Sequence, residues 1–98
     1  MNLELIVRAE AEAEMAAAFD WYEGRLSGLG TQFLLAVDAA LHGIVRNPLQ
    51  FPLVHKTARR ALLRRFPYEV LFVAEVQRVV VLAVFHVKRN PMRWQERI

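Results

Sequence analysis

With 98 residues, 55% of them apolar, 23% charged, and only four glycines and four prolines, the chain has a globular rather than a disordered composition and the length of one domain, residues 1–98. It has no cysteine, which excludes disulfides and thiolate metal sites and allows an intracellular, cytoplasmic location. Its net charge of +3 is unevenly spread: residues 1–55 carry three arginines against seven carboxylates, and residues 56–98 carry ten Lys/Arg against three glutamates, so a −4 half precedes a +7 half.

A basic half of that kind suits an anionic partner: RNA, DNA or an acidic protein segment. The apolar share is high for so small a chain, which favours a partner surface. The opening MNLELIVRAEAEAE lacks the basic-then-apolar layout of a signal peptide. The longest apolar run, residues 79–85, is far too short to span a bilayer, so no membrane contact is expected.

Residues 2–7 alternate as a short strand, with Leu3, Leu5 and Val7 on one face and Glu4 and Ile6 on the other. Residues 9–26 are rich in Ala and Glu and free of Pro, which predicts a helix. Glu10, Glu12 and Glu14 lie in its first turns, where the helix dipole favours negative charge. Met15, Ala18, Phe19, Tyr22 and Leu26 recur at helical spacing as its buried stripe. Ser27-Gly28-Leu29-Gly30 is a turn that matches no nucleotide-binding loop. A second helix follows from about Leu29 or Thr31 to Arg46, with Phe33, Val37, Leu41 and Ile44 facing the core, and Asn47-Pro48 stops it. So short a turn makes the two helices antiparallel neighbours.

Residues 48–56 read as a loop pinned by Phe51 and Leu53. His55 in that loop and His42 on the second helix have no ligand-type partners at metal-site spacing and read as structural; no metal or cofactor is expected. From Arg59 the period becomes two, with Arg60, Leu62, Arg64 and Phe66 opposing Leu63 and Arg65. After Pro67, Tyr68, Val70, Phe72 and Ala74 oppose Glu69, Leu71, Val73 and Glu75. Residues 78–87 form the strongest strand, apolar on both faces and therefore central. The closing RNPMRWQERI begins with a turn and ends in a short helix. The order is β-α-α-β-β-β, an α+β fold in which an N-terminal strand and a helical hairpin pack on a small, mainly antiparallel sheet. The other sheet face is left to solvent or a partner.

The chemistry-bearing residues gather near the last strand. If it pairs antiparallel with its neighbour, His86 lies across from Tyr68, and Arg64 or Arg65 completes a set that suits RNA cleavage by internal transfer. His86 would serve as acid or base, and Arg64, Arg65 or Arg89 would grip the phosphate. The opposing reading is a histidine that closes a strand beside a core tyrosine. No local Ser-His-Asp set is visible. Glu12 and Glu14 fall on different helix faces, which argues against a paired-carboxylate hydrolase.

The ordered set of Trp21-Tyr22-Glu23, Gly28-Leu29-Gly30 with Phe33, Asn47-Pro48 with Phe51-Pro52, Arg60 through Arg65 into Phe66-Pro67-Tyr68, Val81 through His86, and Arg89-Asn90-Pro91 with Trp94 resembles the ParE branch of the RelE/ParE toxin superfamily. The resemblance implies a type II toxin–antitoxin module and a cognate antitoxin whose C-terminal tail wraps the toxin. ParE-like members inhibit DNA gyrase by binding it; RelE-like members cleave mRNA in the ribosome. With only Lys56 and Lys88, a lysine-rich RelE-type site is not evident. The resemblance therefore implies a protein-binding toxin first. It leaves a nuclease using His86, Arg65 and Tyr68 as the alternative, and an inactive basic binding module as the blandest reading. Arg60, Arg64, Arg89, Arg93 and Trp94 are the expected contacts to target or antitoxin.

Overall fold

The computed structural model describes residues 3–98. Its elements run β1 (Glu4–Val7), α1 (Ala9–Arg25), α2 (Leu29–Arg46), β2 (Leu53–His55), β3 (Ala58–Leu62), β4 (Tyr68–Ala74), β5 (Arg78–His86) and α3 (Met92–Gln95), with one 3-10 turn at Pro48–Gln50. Asn2, the first residue of the expected opening strand, lies outside the described residues. The strands form one sheet in the order β1-β5-β4-β3-β2. β1 pairs parallel with β5, and all other pairings are antiparallel.

The helical hairpin is closed by a carboxylate. Gly28 sits at φ 91° in the left-handed region, which turns the chain sharply at the start of α2. Glu23 reaches across the turn and accepts hydrogen bonds from the Gly28 N–H (2.8 Å) and the Gly30 N–H (2.9 Å), two of the amides that open α2. Gly30 is also the point of closest approach. A Cβ there would lie 2.8 Å from the Phe19 ring and from the Phe19 carbonyl oxygen, while Gly24 has open space around it. Gly30→Ala should therefore destabilise the fold by about 2 kcal/mol, as overpacking does, whereas Gly24→Ala should stabilise it by about 0.5–1 kcal/mol through helix propensity. Paired urea denaturation curves check both signs.

The sheet carries two apolar clusters. On the helix side, Ala11, Ala18, Phe33, Val37 and Ile44 pack against Ala61, Leu63, Val70, Phe72, Val79, Val81 and Val84. On the reverse side lie Ala58, Leu71, Val80, Leu82, Ala83, Phe85 and Trp94. A bulge makes the split workable. Leu71 pairs with Ala83 and Phe72 with Val81, so Leu82 is the extra residue. Leu82 and Ala83 then both belong to the reverse cluster, and Val81 and Val84 both belong to the helix side.

Five expectations need correction. Leu26 is exposed, because it is the extended residue just past α1; Ala11 takes its place on the buried stripe. Leu53 is exposed; residues 48–56 are pinned by Phe51, against Phe72 with ring centroids 5.7 Å apart, and by His55, edge-on to Trp94 at 5.8 Å. That stretch also contains β2, which pairs with β3 through a tight turn at Lys56 and Thr57. Finally, the period-two segment from Arg59 stops at Leu62: Arg65 adopts φ 68°, so the chain bends away and Arg64 and Arg65 do not alternate on a strand. The reverse face is not left open either. α3 folds over it, with Trp94 only 3% exposed.

The C-terminal turn is tied down by a charge knot. Arg97 and Glu14 pair at 2.8 and 3.1 Å. Glu14 also accepts the Val84 N–H at 3.0 Å, and Arg97 donates to the Leu82 carbonyl at 3.0 Å. These are the backbone groups of β5 just past the point where β1 stops pairing at Val81. Two side chains thus take the place of a missing strand.

Candidate functional site

β3 and β5 run the same way on either side of the opposed β4, so their C-terminal ends meet the start of β4. Leu62 pairs with Glu69, and His86 pairs with Tyr68. The segments that leave this end carry Arg64 and Arg65 after β3, and Lys88, Arg89 and Arg93 after β5. Among the described residues none of these five cations is in an ion pair; the paired bases are His42, Arg60, Arg78 and Arg97. The basic half therefore resolves into one positively charged end of the sheet.

A groove of about 850 Å³ opens there between α1 and the sheet. Its apolar wall is Ala13, Ala17 and Trp21, its floor includes Tyr22, Tyr68 and Val84, and His86, Lys88 and Arg89 stand at its basic end. Trp21 is 56% exposed, with the Arg25 guanidinium 4.3 Å from its ring centroid. An exposed indole beside an apolar groove with a cationic rim is the anatomy of a binding hot spot.

The aromatic rings make a continuous path into the core. Tyr68 meets His86 edge-on at 5.2 Å and Phe33 at 5.1 Å, and Tyr22 stacks on Phe33 at 5.4 Å. Burial raises the Tyr68 hydroxyl above its ordinary value, against the pull of Arg89, and burial likewise raises Tyr22. Both stay protonated at neutral pH and can donate but not take a proton. The Nδ1 of His86 accepts the Lys88 backbone N–H at 3.1 Å, so a neutral ring carries its proton on Nε2 and is a donor too. Glu14, the carboxylate that lines the groove, is occupied by Arg97 and Val84. The groove is thus rich in donors and short of a free base.

Tyr68 and His86 meet as the sequence implies. Arg65 does not join them. It lines, with Arg64, a separate cleft of about 420 Å³ between α2 and the end of β3, beside Leu35 and Leu62. Arg89 occupies the place expected of it. Arg60 faces the reverse side, 3.8 Å from Glu69, and Arg93 is exposed on α3. Trp94 is buried, 3% exposed, and borders a small cleft on the reverse face. Glu14, Trp21 and Lys88 were not singled out as site residues from sequence. Glu14 alone carried a signal, since it falls on the same helical stripe as Ala11 and Ala18 yet is charged.

Glu69 is 8% exposed, and burial raises its carboxyl above the ordinary value, with the Arg60 charge opposing. The folded state holds that proton more tightly than the unfolded chain, so the ionised group subtracts stability at neutral pH. Stability is regained as pH falls through the raised value toward the ordinary carboxylate range. Glu69→Gln should therefore be at least as stable as the native chain at pH 7, and its advantage should shrink in that acidic window. Denaturation midpoints at pH 7 and pH 5 decide this. An advantage to the native chain at pH 7 would mean that the Arg60 pair dominates.

Among the described residues no His/Asp/Glu group could hold a metal, and no helix is long and apolar enough to cross a membrane.

No known family model and no curated protein matches the sequence. The α+β architecture, with its helical hairpin on a five-stranded mixed sheet, is shared with a chain of known structure. It superimposes with a TM-score of 0.78 on a solved chain from "Chromosomal ParDE TA system from P. aeruginosa", at 17% identity, covering 88% of this chain and 97% of that one.

Proposed function

We propose that this chain is the toxin of a type II toxin–antitoxin pair and that it arrests growth by binding, with DNA gyrase as its cytoplasmic target and a cognate antitoxin as its neutraliser. The observation that carries this reading is the fold match over nearly the whole of a ParDE-system chain, at TM-score 0.78. The groove supports binding over catalysis, because it has apolar walls, a cationic rim and no free base. An antitoxin segment with apolar side chains toward Ala13, Ala17 and Trp21 and carboxylates toward Lys88 and Arg89 fits it. Expression of the chain alone in a bacterium should stop growth, and the purified protein should block gyrase supercoiling. Harmless expression would favour the inactive module, and arrest with untouched supercoiling would move the target elsewhere.

The meeting of Tyr68, His86 and Arg89 favours one second reading, a ribosome-dependent mRNA endonuclease with His86 as proton donor. On that reading, toe-printing of translated mRNA shows cuts that fall by about 10²-fold or more in His86→Ala, the scale of general acid catalysis. Arg65 lines the separate cleft beside α2, so Arg89 takes the phosphate-gripping role on this reading.

A further inference from the structure

The reverse face of the sheet holds a separate small cleft, about 240 Å³, bordered by Arg60 of β3, Glu69 of β4, and Arg89, Trp94 and Gln95 from the C-terminal segment. Two of its polar side chains are largely buried and lack full partners, Glu69 with 11% of its side chain exposed and Trp94 with 3% of the residue exposed. Glu69 has one ionic contact, Arg60 Nε at 3.8 Å, which is beyond hydrogen-bond length. Trp94 has an indole Nε1–H with no acceptor among the described residues. An unmade hydrogen bond like that of the Trp94 indole is rare in native interiors, because a buried polar group gives up water and receives nothing in return. A ligand that supplies the missing partners recovers that loss. Arg89 adds a flat surface: its Cζ lies 4.6 Å from the Phe85 ring centroid, which steadies the guanidinium plane at the cleft.

We propose that this cleft binds a guanine base. Guanine presents N1–H and N2–H side by side, matched to the two oxygens of the Glu69 carboxylate. Its O6 and N7 accept from a guanidinium or from an indole N–H. Arg89 offers the plane on which a base stacks. Adenine would set its N1 lone pair against the carboxylate, and a bare phosphate would meet Glu69 as a like charge. The volume suits one base and not a folded segment. The shared chemistry covers a free guanine nucleotide and a guanine in single-stranded nucleic acid. The proposal rests on this cleft and is independent of the toxin reading.

The chain has two tryptophans, Trp21 and Trp94, so Trp21→Phe leaves Trp94 as the only indole reporter. That variant is titrated with GMP, IMP, AMP and inorganic phosphate, and with a short single-stranded RNA carrying one guanine beside its all-adenine counterpart. GMP should shift Trp94 emission and bind at least tenfold tighter than AMP, with IMP, which lacks the 2-amino group, weaker than GMP. Tighter binding of the guanine oligomer than of GMP identifies nucleic acid as the source; no gain over GMP identifies the free nucleotide. Glu69→Gln, and the exposed Arg89→Ala should Glu69→Gln fail to fold, should each erase the preference for GMP over AMP. Equal binding of GMP and AMP, the same Trp94 response to phosphate alone, or full retention of the preference in a folded variant overturns the proposal.

Discussion

Glu14→Ala should lower the unfolding free energy by about 3 kcal/mol, because it leaves a largely buried guanidinium without its counterion and a backbone amide without its acceptor. Glu14 and Arg97 have side chains only 14% and 17% exposed, so the pair is poorly screened by solvent. In a domain of this length, the loss should move the melting midpoint by more than about 10 °C. Glu14→Gln should cost less, since an amide oxygen can still accept the Val84 N–H. The double variant Glu14→Gln/Arg97→Met removes both charges together and should recover part of the Glu14→Ala loss. A second readout separates a local effect from a global one: freeing Arg97 loosens the turn that covers Trp94, so Trp94 emission should shift to the red before the helices unfold. A Glu14→Ala protein as stable as the native chain would show that the knot is ornamental.

Phe33→Ala should cost about 3–5 kcal/mol, the usual range for deleting a buried aromatic ring. Against a total of roughly 5–15 kcal/mol, that leaves a marginal fold. Phe33 is fully buried and sits between Tyr22, Phe66 and Tyr68 at centroid distances of 5.4, 5.5 and 5.1 Å. The ring therefore holds more than its own surface. It backs Tyr68, which in turn faces His86 in the groove. Phe33→Leu should keep most of the volume, cost about 1–1.5 kcal/mol, and stay folded. In that folded variant the Tyr68 ring still loses its edge-on neighbour, so groove binding should weaken while circular dichroism stays native. Thermal denaturation of both variants, with binding of an acidic apolar peptide measured on Phe33→Leu, tests the two halves of the claim.

The order of elements was legible because each segment kept one period over many residues. The helical spacing of Phe33, Val37 and Ile44 and the two-sided apolar run of β5 survive folding unchanged. The pairing of Tyr68 with His86 was also readable, since antiparallel strands joined by a tight turn have little freedom of register. Arg65 shows where this ends. Its alternation with Arg64 looked like strand continuation, but a left-handed φ at Arg65 breaks the strand and turns both arginines toward α2. β2 escaped notice because three residues carry too little pattern to declare a strand, and only its partner β3 defines it.

Periodicity and charge, which are local properties, were enough to give the helices, the long strands, the α+β class and the basic C-terminal half. They could not say which residues from distant segments share a contact, since such contacts appear only when chain ends meet in space. The Glu14–Arg97 knot joins residues 83 positions apart, and the burial of Trp94 depends on a turn folding back over a face formed by β3, β4 and β5. Assembly also sorted the arginines: the sheet sends Arg64 and Arg65 to α2, Arg60 to the reverse face, and Arg89 to the edge shared by the groove beside His86 and the reverse-face cleft.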